Sequence, residues 1–108
     1  MIRLPSFAPH LAAPVLLCAV MALPAHADAA KEADCGHQAD VVAAVQAARV
    51  AGVAEAAVAQ QVSGSVLGWP EKYDAVVPLV TPWVYSLAAE ELGTTDLAVA
   101  WKDLCLQQ

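Results

Sequence analysis

Two cysteines near opposite ends of the predicted mature chain constrain its fold more than any other feature. Cys35 lies close to the start of this segment and Cys105 close to its end. Small secreted domains with little apolar surface to bury commonly gain stability from disulfides. A bond between these two cysteines closes a loop of roughly 70 residues and contributes about 4 kcal/mol in the chain-entropy description. The pattern therefore predicts a structural disulfide that joins the two ends of one small domain.

Two other uses of these cysteines fit the sequence less well. A redox motif of the Cys-x-x-Cys type places its thiols close together in the sequence. A zinc site needs about four ligands. The cysteine and histidine ligands that the predicted mature chain provides are only three: Cys35, His37 and Cys105. A metal site and free or redox-active thiols are the less favoured alternatives to the disulfide. We therefore expect that the protein binds neither a metal nor a cofactor.

The first 27 residues have the pattern of a secretory signal peptide. Arg3 supplies a positive start, residues 11–23 form an apolar run, and residues 25–27 place alanine at positions −3 and −1 of a cleavage site. The run is shorter than the roughly 20 apolar residues of a membrane-spanning helix, and Cys18 inside it leaves with the signal. We therefore expect cleavage after residue 27, one domain over 28–108, a periplasmic or secreted location, and no stable membrane association.

The charge of the predicted mature chain excludes several classes of partner. The whole chain carries a net charge of −6, and loss of Arg3 with the signal changes this to −7. The basic residues form no stripe, and a phosphate backbone is repelled by such a chain. Nucleic acid is therefore excluded as a partner, and anionic lipid surfaces fit poorly.

Apolar periodicity predicts an all-α fold, a small bundle of about four helices closed by one disulfide. Three- and four-residue spacing predicts a first helix over 35–51, capped by Asp34 after a frayed start and ended by Gly52. A second helix is expected over 54–62, followed by a loop that contains two glycines.

Prolines make the third helix the hardest to place. Either a turn over 71–77 precedes a helix that starts near Pro78, or Thr81 caps a helix with Pro82 at its first position. A strand is the third alternative because the segment is rich in valine, although prolines fit badly in a paired strand. We favour a helix that ends before Gly93.

The last helix is predicted to begin at a cap formed by Thr94 or Thr95, with Asp96 in its first turn. Its apolar residues have the spacing of a single helical face: Leu97, Trp101, Leu104 and Cys105. This helix would bring its cysteine back to the start of the first helix.

The predicted mature chain contains no residue pattern that supports catalysis. His37 is its only histidine and lies two residues after Cys35, a spacing that directs helical side chains to different faces. Glu90 and Glu91 are expected at an exposed helix end, and no phosphate-binding loop or nucleophile elbow is present. We therefore expect no catalytic residues.

The aromatic residues of the second half are the remaining candidates for function. Trp83, Tyr85 and Trp101 are expected mainly in the core. Trp69 lies in a glycine-bearing loop, where exposure would suit contact with a partner, although local packing is the favoured alternative. Trp69 and Tyr73 are therefore the candidate partner contacts.

One set of residues forms a pattern along most of the predicted mature chain: Cys35, Arg49, Gly52-Val53, Val84-Tyr85, Trp101 and Cys105. In this pattern the chain resembles a group of small secreted proteobacterial proteins with a terminal cysteine pair and no assigned function. The resemblance implies an all-helical, disulfide-closed fold and no activity. Thr94-Thr95 departs from the Thr-Pro or Ser-Pro expected there, which puts the start of the last helix in doubt.

Three functional hypotheses are compatible with these observations. The leading one is a non-enzymatic protein-binding module, such as an immunity protein or inhibitor, whose partner is another periplasmic protein. The alternative is an acid- or stress-responsive chaperone, because loss of carboxylate charge in acid would loosen a marginal core. An enzyme is the third hypothesis, and its only candidate residues are His37 and the Glu90-Glu91 pair.

Overall fold

The structure, a computed structural model, describes residues 2–6, 9, 12–15 and 25–108. Most of the predicted signal segment, including Cys18, lies outside these residues, and its cleavage remains a prediction. The helical elements in chain order are α1 (Ala25–Val50), a 3₁₀ turn (Glu55–Ala57), α2 (Val58–Gln61), α3 (Gly64–Leu67), a 3₁₀ helix (Glu71–Val76), α4 (Val77–Ser86), α5 (Ala89–Thr94) and α6 (Leu97–Leu106). Residues 25–108 contain no strand, and the predicted all-α fold is confirmed.

The first helix begins at Ala25, well before its predicted start, so the expected fraying is wrong. The early residues are rich in alanine, which favours helix, and the end of α6 lies beside them. The Lys102 ammonium pairs with Glu32, and the Lys31 ammonium donates to the backbone oxygen of Gln108. The hydrogen bond to Glu32, together with the Glu32 charge, raises the pKa of Lys102.

The end of α1 is the Schellman motif that the glycine predicts. Gly52 has φ 83°, a left-handed conformation that a residue without Cβ adopts readily. Its N–H donates to the carbonyl of Arg49 at 3.0 Å, and the N–H of Val53 donates to the carbonyl of Ala48 at 2.9 Å. This pair of bonds satisfies carbonyls that the helix end leaves free.

Several residues of the pattern that resembles the small secreted proteins form contacts between the end of α1 and the end of α4. The Arg49 guanidinium donates to the carbonyl of Val84 and lies 5.6 Å from the ring centroid of Tyr85. The Tyr85 hydroxyl donates to the carbonyl of Val53 at 2.5 Å. Since these contacts link the two helix ends, this part of the pattern has a structural role in the chain.

The second helix occurs where it is predicted, with a 3₁₀ first turn, and it buries Val58 and Val62. The loop expected after it contains a helical turn, α3, which begins at Gly64 and ends at Leu67 and is followed by Gly68, where φ is 96°. The chain therefore turns here within a few residues and returns towards α1.

The structure distinguishes between the placements of the proline segment. A 3₁₀ helix over Glu71–Val76 precedes α4, which has Pro78 in its first turn and Pro82 in its interior. The alternative cap is wrong, because Thr81 is buried and its hydroxyl donates to the carbonyl of Val77 at 2.6 Å. The first of the two predicted placements is therefore the one adopted.

The third helix is shorter than predicted. It ends at Ser86, and the extended residues Leu87 and Ala88 (ψ 152° and 147°) separate it from α5, which contains Gly93. The predicted end just before Gly93 is therefore wrong. This break turns one expected helix into two, and it is one reason why the described residues form more helices than the predicted four.

The cap of the last helix is also corrected. Asp96 is the N-cap of α6, and its carboxylate accepts a hydrogen bond from the N–H of Val99 at 3.1 Å. An aspartate in this position satisfies one of the free N–H groups of the first turn. Neither Thr94 nor Thr95 has this role.

The side chain of Gln46 holds the link between α5 and α6 against α1. Its amide nitrogen donates to the carbonyls of Leu92 and Thr95, each at 2.9 Å, and its amide oxygen accepts from the N–H of Leu97 at 3.3 Å. Sequence analysis gave this glutamine no such role, because its partners lie about 50 positions away.

The core is built mostly of valine around α1. The fully buried side chains include Val41, Val42, Val45, Val58, Val77, Val80 and Val84. The predicted disulfide is confirmed: it joins Cys35 of α1 to Cys105 of α6, with 5.7 Å between the Cα atoms. Since Gln46 contacts the start of α6 while Cys35 holds its end, α6 runs antiparallel to α1.

Candidate protein-binding surface

The outer face of α4 is apolar and exposed. Residues 77–86 include no charged side chain, and the valines of this helix point into the core. Pro78 and Pro82 are exposed, and the side chain of Leu79 is 74% exposed. Large apolar residues gathered on a surface commonly mark a site of contact with another molecule.

Two tryptophans connect this face to α6. The rings of Trp83 and Trp101 are half-buried, with centroids 5.8 Å apart and planes inclined at 38°. Leu79 lies four residues before Trp83, and Leu104 lies three residues after Trp101, so each leucine shares a helix face with its tryptophan. Leu104 is 59% exposed. We call these four residues the tryptophan strip.

A groove of about 460 Å³ adjoins the strip at the disulfide end of the domain. Its lining comes from α1 and from the end of the chain: Lys31, Asp34, Cys35, Gln38, Trp101, Leu104, Cys105 and Gln108. The indole N–H of Trp101 donates to the side-chain oxygen of Gln38 at 3.1 Å, which fixes the orientation of the ring. Strip and groove therefore form one continuous surface through Trp101 and Leu104.

Trp69, a candidate contact from the sequence, lies in the core with 7% of its surface exposed. Its indole N–H donates to the carboxylate of Asp74 at 2.8 Å, and the same oxygen accepts from the N–H of Gly64 at 2.7 Å. The favoured alternative of local packing is the arrangement observed. A partner contact by this side chain remains a prediction that requires it to become exposed.

Tyr73, the other candidate, is 6% exposed. Its hydroxyl donates to the carboxylate of Asp34 at 2.8 Å, and its ring lies 4.8 Å from that of His37. Asp34 lies inside α1 and also accepts from the amide of Gln38 at 2.9 Å, so its predicted role as a cap is wrong. The tyrosine thus attaches the 3₁₀ helix before α4 to α1.

The polar residues considered for chemistry are dispersed over the described surface. His37 lies 3.9 Å from Asp40 and about a third of its side chain is exposed. Glu90 and Glu91 are exposed in the first turn of α5. These positions leave the histidine and the glutamates on separate elements.

One cluster in the described part of the chain has the types of atom that bind metals. The ligand atoms of Asp34, Cys35 and Cys105 lie within 4.8 Å of one another. The disulfide bonds the two sulfurs to each other, and metal binding by cysteine requires thiolates. In the oxidised protein this cluster therefore offers a single carboxylate, which is too few ligands for a protein metal site.

Sequence analysis missed the tryptophan strip, although part of its signal was present. The four-residue spacing of Leu79 and Trp83 places both on one face of a helix, but the prolines left the helix itself uncertain. The contact between Trp83 and Trp101 joins residues distant in the chain, and no local pattern indicates it.

No helix in the described ranges combines the length and the apolar content needed to span a bilayer. No family model, curated protein or solved structure matches the chain. The tryptophan strip is the most distinctive feature of the described surface.

Proposed function

We propose that this protein is a non-enzymatic, periplasmic or secreted protein-binding module, and that the tryptophan strip is its contact surface. The observation that supports this most is the position of Trp83 and Trp101, half-buried in contact with each other and flanked by exposed leucines. Tryptophan is enriched among the few residues that dominate the affinity of protein interfaces. An immunity protein or an inhibitor belongs to this class.

The tryptophan side chains of the strip are held in place before a partner binds, so binding requires no large change in the shape of the domain. Both tryptophans pack against the core cluster, and Trp101 is further held by its hydrogen bond to Gln38. Side chains that are ordered before binding lose little entropy when a partner covers them. The leucines then supply apolar area that is in water until the partner arrives.

Leu79→Asp is expected to weaken binding of the partner at least about tenfold, since it buries an unpaired carboxylate in an apolar contact. A photo-crosslinking residue at position 79, introduced in cells that secrete the protein, identifies the partner by mass spectrometry. Titration of the purified partner then gives Kd for both forms. The fold should tolerate the change because Leu79 is 74% exposed.

Val66→Asp is the matched control for this experiment. Val66 is 71% exposed and lies on α3, which contributes no residue to the strip, so the variant should bind within twofold of the wild type. A crosslinking residue at position 66 should likewise fail to capture the partner that is captured from position 79. The proposal is wrong if Leu79→Asp binds the partner as tightly as Val66→Asp, or if position 79 crosslinks no protein.

A second candidate, an acid-responsive chaperone, is supported by a different observation. The carboxylates of Asp34 and Asp74 accept the hydrogen bonds that hold Tyr73 and Trp69 in place. These bonds hold aromatic residues of a marginal valine core, and general loss of carboxylate charge in acid would loosen such a core and free aromatic surface.

If this second function operates, acid should expose apolar surface while the helices persist. Between pH 7 and pH 3 we expect ANS fluorescence to rise and near-UV circular dichroism to fall while the far-UV signal is retained. The acid form should also suppress aggregation of an unfolded client protein. Constant ANS fluorescence over this range would exclude the chaperone function and leave the binding module unaffected.

A further inference from the structure

We infer that the segment held by the tryptophan strip is an amphipathic α-helix of the partner, with basic residues flanking its apolar face. This inference rests on the proposed function and adds the chemistry and shape of the bound segment.

The arrangement of helices leaves a place for one more. Tyr73, just before α4, contacts Asp34 in the first half of α1, and Val84, near the end of α4, contacts Arg49 near the end of α1. Helix α4 is therefore parallel to α1, whereas α6 is antiparallel to it. Both pack on α1, and the tryptophan contact lies between them. A further helix laid along this line would complete a four-helix bundle.

The anchors along the strip suit a helical ligand. Leu79 and Trp83 belong to α4, Trp101 and Leu104 belong to α6, and each pair lies one turn apart on its own helix. A helix bound in a groove presents its contacts at the same three- and four-residue spacing. Since α4 has 10 residues, it is about 15 Å long, which matches about three turns of a bound helix.

The charge of the domain favours basic flanks. The two lysines at this end are already engaged, Lys102 by the carboxylate of Glu32 and Lys31 by the backbone oxygen of Gln108. Asp103 of α6 is exposed and forms no ion pair with the described part of the chain. With a net charge of −6 for the whole chain, a segment with basic residues beside its apolar face is attracted to the domain as a whole.

The same charge argues against a second copy as the occupant. Two copies brought together at the strip would each add the same excess of carboxylates, and repulsion between like charges opposes their association. A basic helix removes this repulsion and leaves the apolar contact to provide most of the affinity.

Three synthetic peptides of about 18 residues, long enough to form helix on their own, test the inference on the oxidised protein. The first repeats leucine and lysine with helical period, the second has the same composition in strict alternation, and the third replaces lysine with glutamate. At about 150 mM salt we expect the first to bind at least tenfold more tightly than the others. Its binding should shift the indole N–H resonances of Trp83 and Trp101 and leave that of Trp69 unchanged.

Leu79→Lys and Val66→Lys separate the strip from general charge attraction, because both variants change the net charge equally. The first should lose at least tenfold in affinity for the helical leucine-lysine peptide, and the second should change less than twofold. The inference is wrong if the alternating peptide or the glutamate peptide binds as tightly as the helical leucine-lysine peptide. It is also wrong if the wild-type protein forms a dimer that Leu79→Lys disrupts. A crosslinked partner at position 79 without a basic amphipathic helix would overturn it too, and would leave the proposed function standing.

Discussion

The double variant Cys35→Ala/Cys105→Ala is expected to lose about 4 kcal/mol of its free energy of unfolding. The disulfide joins residues 70 positions apart, and in the chain-entropy description a bond across such a loop removes much of the freedom of the unfolded chain. Proteins have total stabilities of roughly 5–15 kcal/mol, so this loss is a large fraction of the total.

Urea unfolding followed by tryptophan fluorescence measures this loss. Wild-type protein kept reduced with dithiothreitol is the control, and its midpoint should fall to that of the double variant, because both lack the same crosslink. A difference of less than about 1 kcal/mol between oxidised and reduced wild type would contradict the prediction. That result would mean that contacts such as the Glu32–Lys102 pair hold the ends of the fold without help from the disulfide.

Gly64→Ala is expected to cost about 3 kcal/mol or more, although it adds only one methyl group. A Cβ at this position would lie 2.2 Å from the carbonyl oxygen of Trp69 and 2.7 Å from Cδ1 of its ring. Because the first of these atoms belongs to the backbone, the loop has to move, and overpacking of this kind commonly costs 1–3 kcal/mol and sometimes more. The movement also disturbs the hydrogen bond from the Gly64 N–H to Asp74.

Gly36→Ala is the matched control for this prediction. Gly36 lies inside α1, and a Cβ added there meets nothing within 4 Å. Replacement of glycine by alanine in a helix interior stabilises by about 0.5–1 kcal/mol, so the two variants should shift the urea midpoint in opposite directions. If Gly64→Ala unfolds at the wild-type midpoint, the close approach of Trp69 is not a requirement of the fold.

Several features of the fold are predictable from the sequence because local physics decides them. Three- and four-residue apolar spacing indicates helices, and Gly52 ends the first of them because only a residue without Cβ adopts its φ at little cost. The cysteine spacing predicts the disulfide, since the predicted secretory compartment and the small core leave few other uses for the pair. The start of α1 and the cap of α6 were misplaced because alternative local signals of similar strength occur at both ends.

The candidate site belongs to the features that local physics does not decide. Burial of Trp69 depends on its hydrogen bond to Asp74 and on the space left because Gly64 has no side chain. The tryptophan strip depends on the packing of both α4 and α6 on α1. Sequence alone thus determined the helical class, the main helix stop and the crosslink, each of which follows from backbone preference or from cysteine chemistry. Only the tertiary structure decided which aromatic side chains are buried and which meet at the surface, because contacts between residues far apart in the chain place them there.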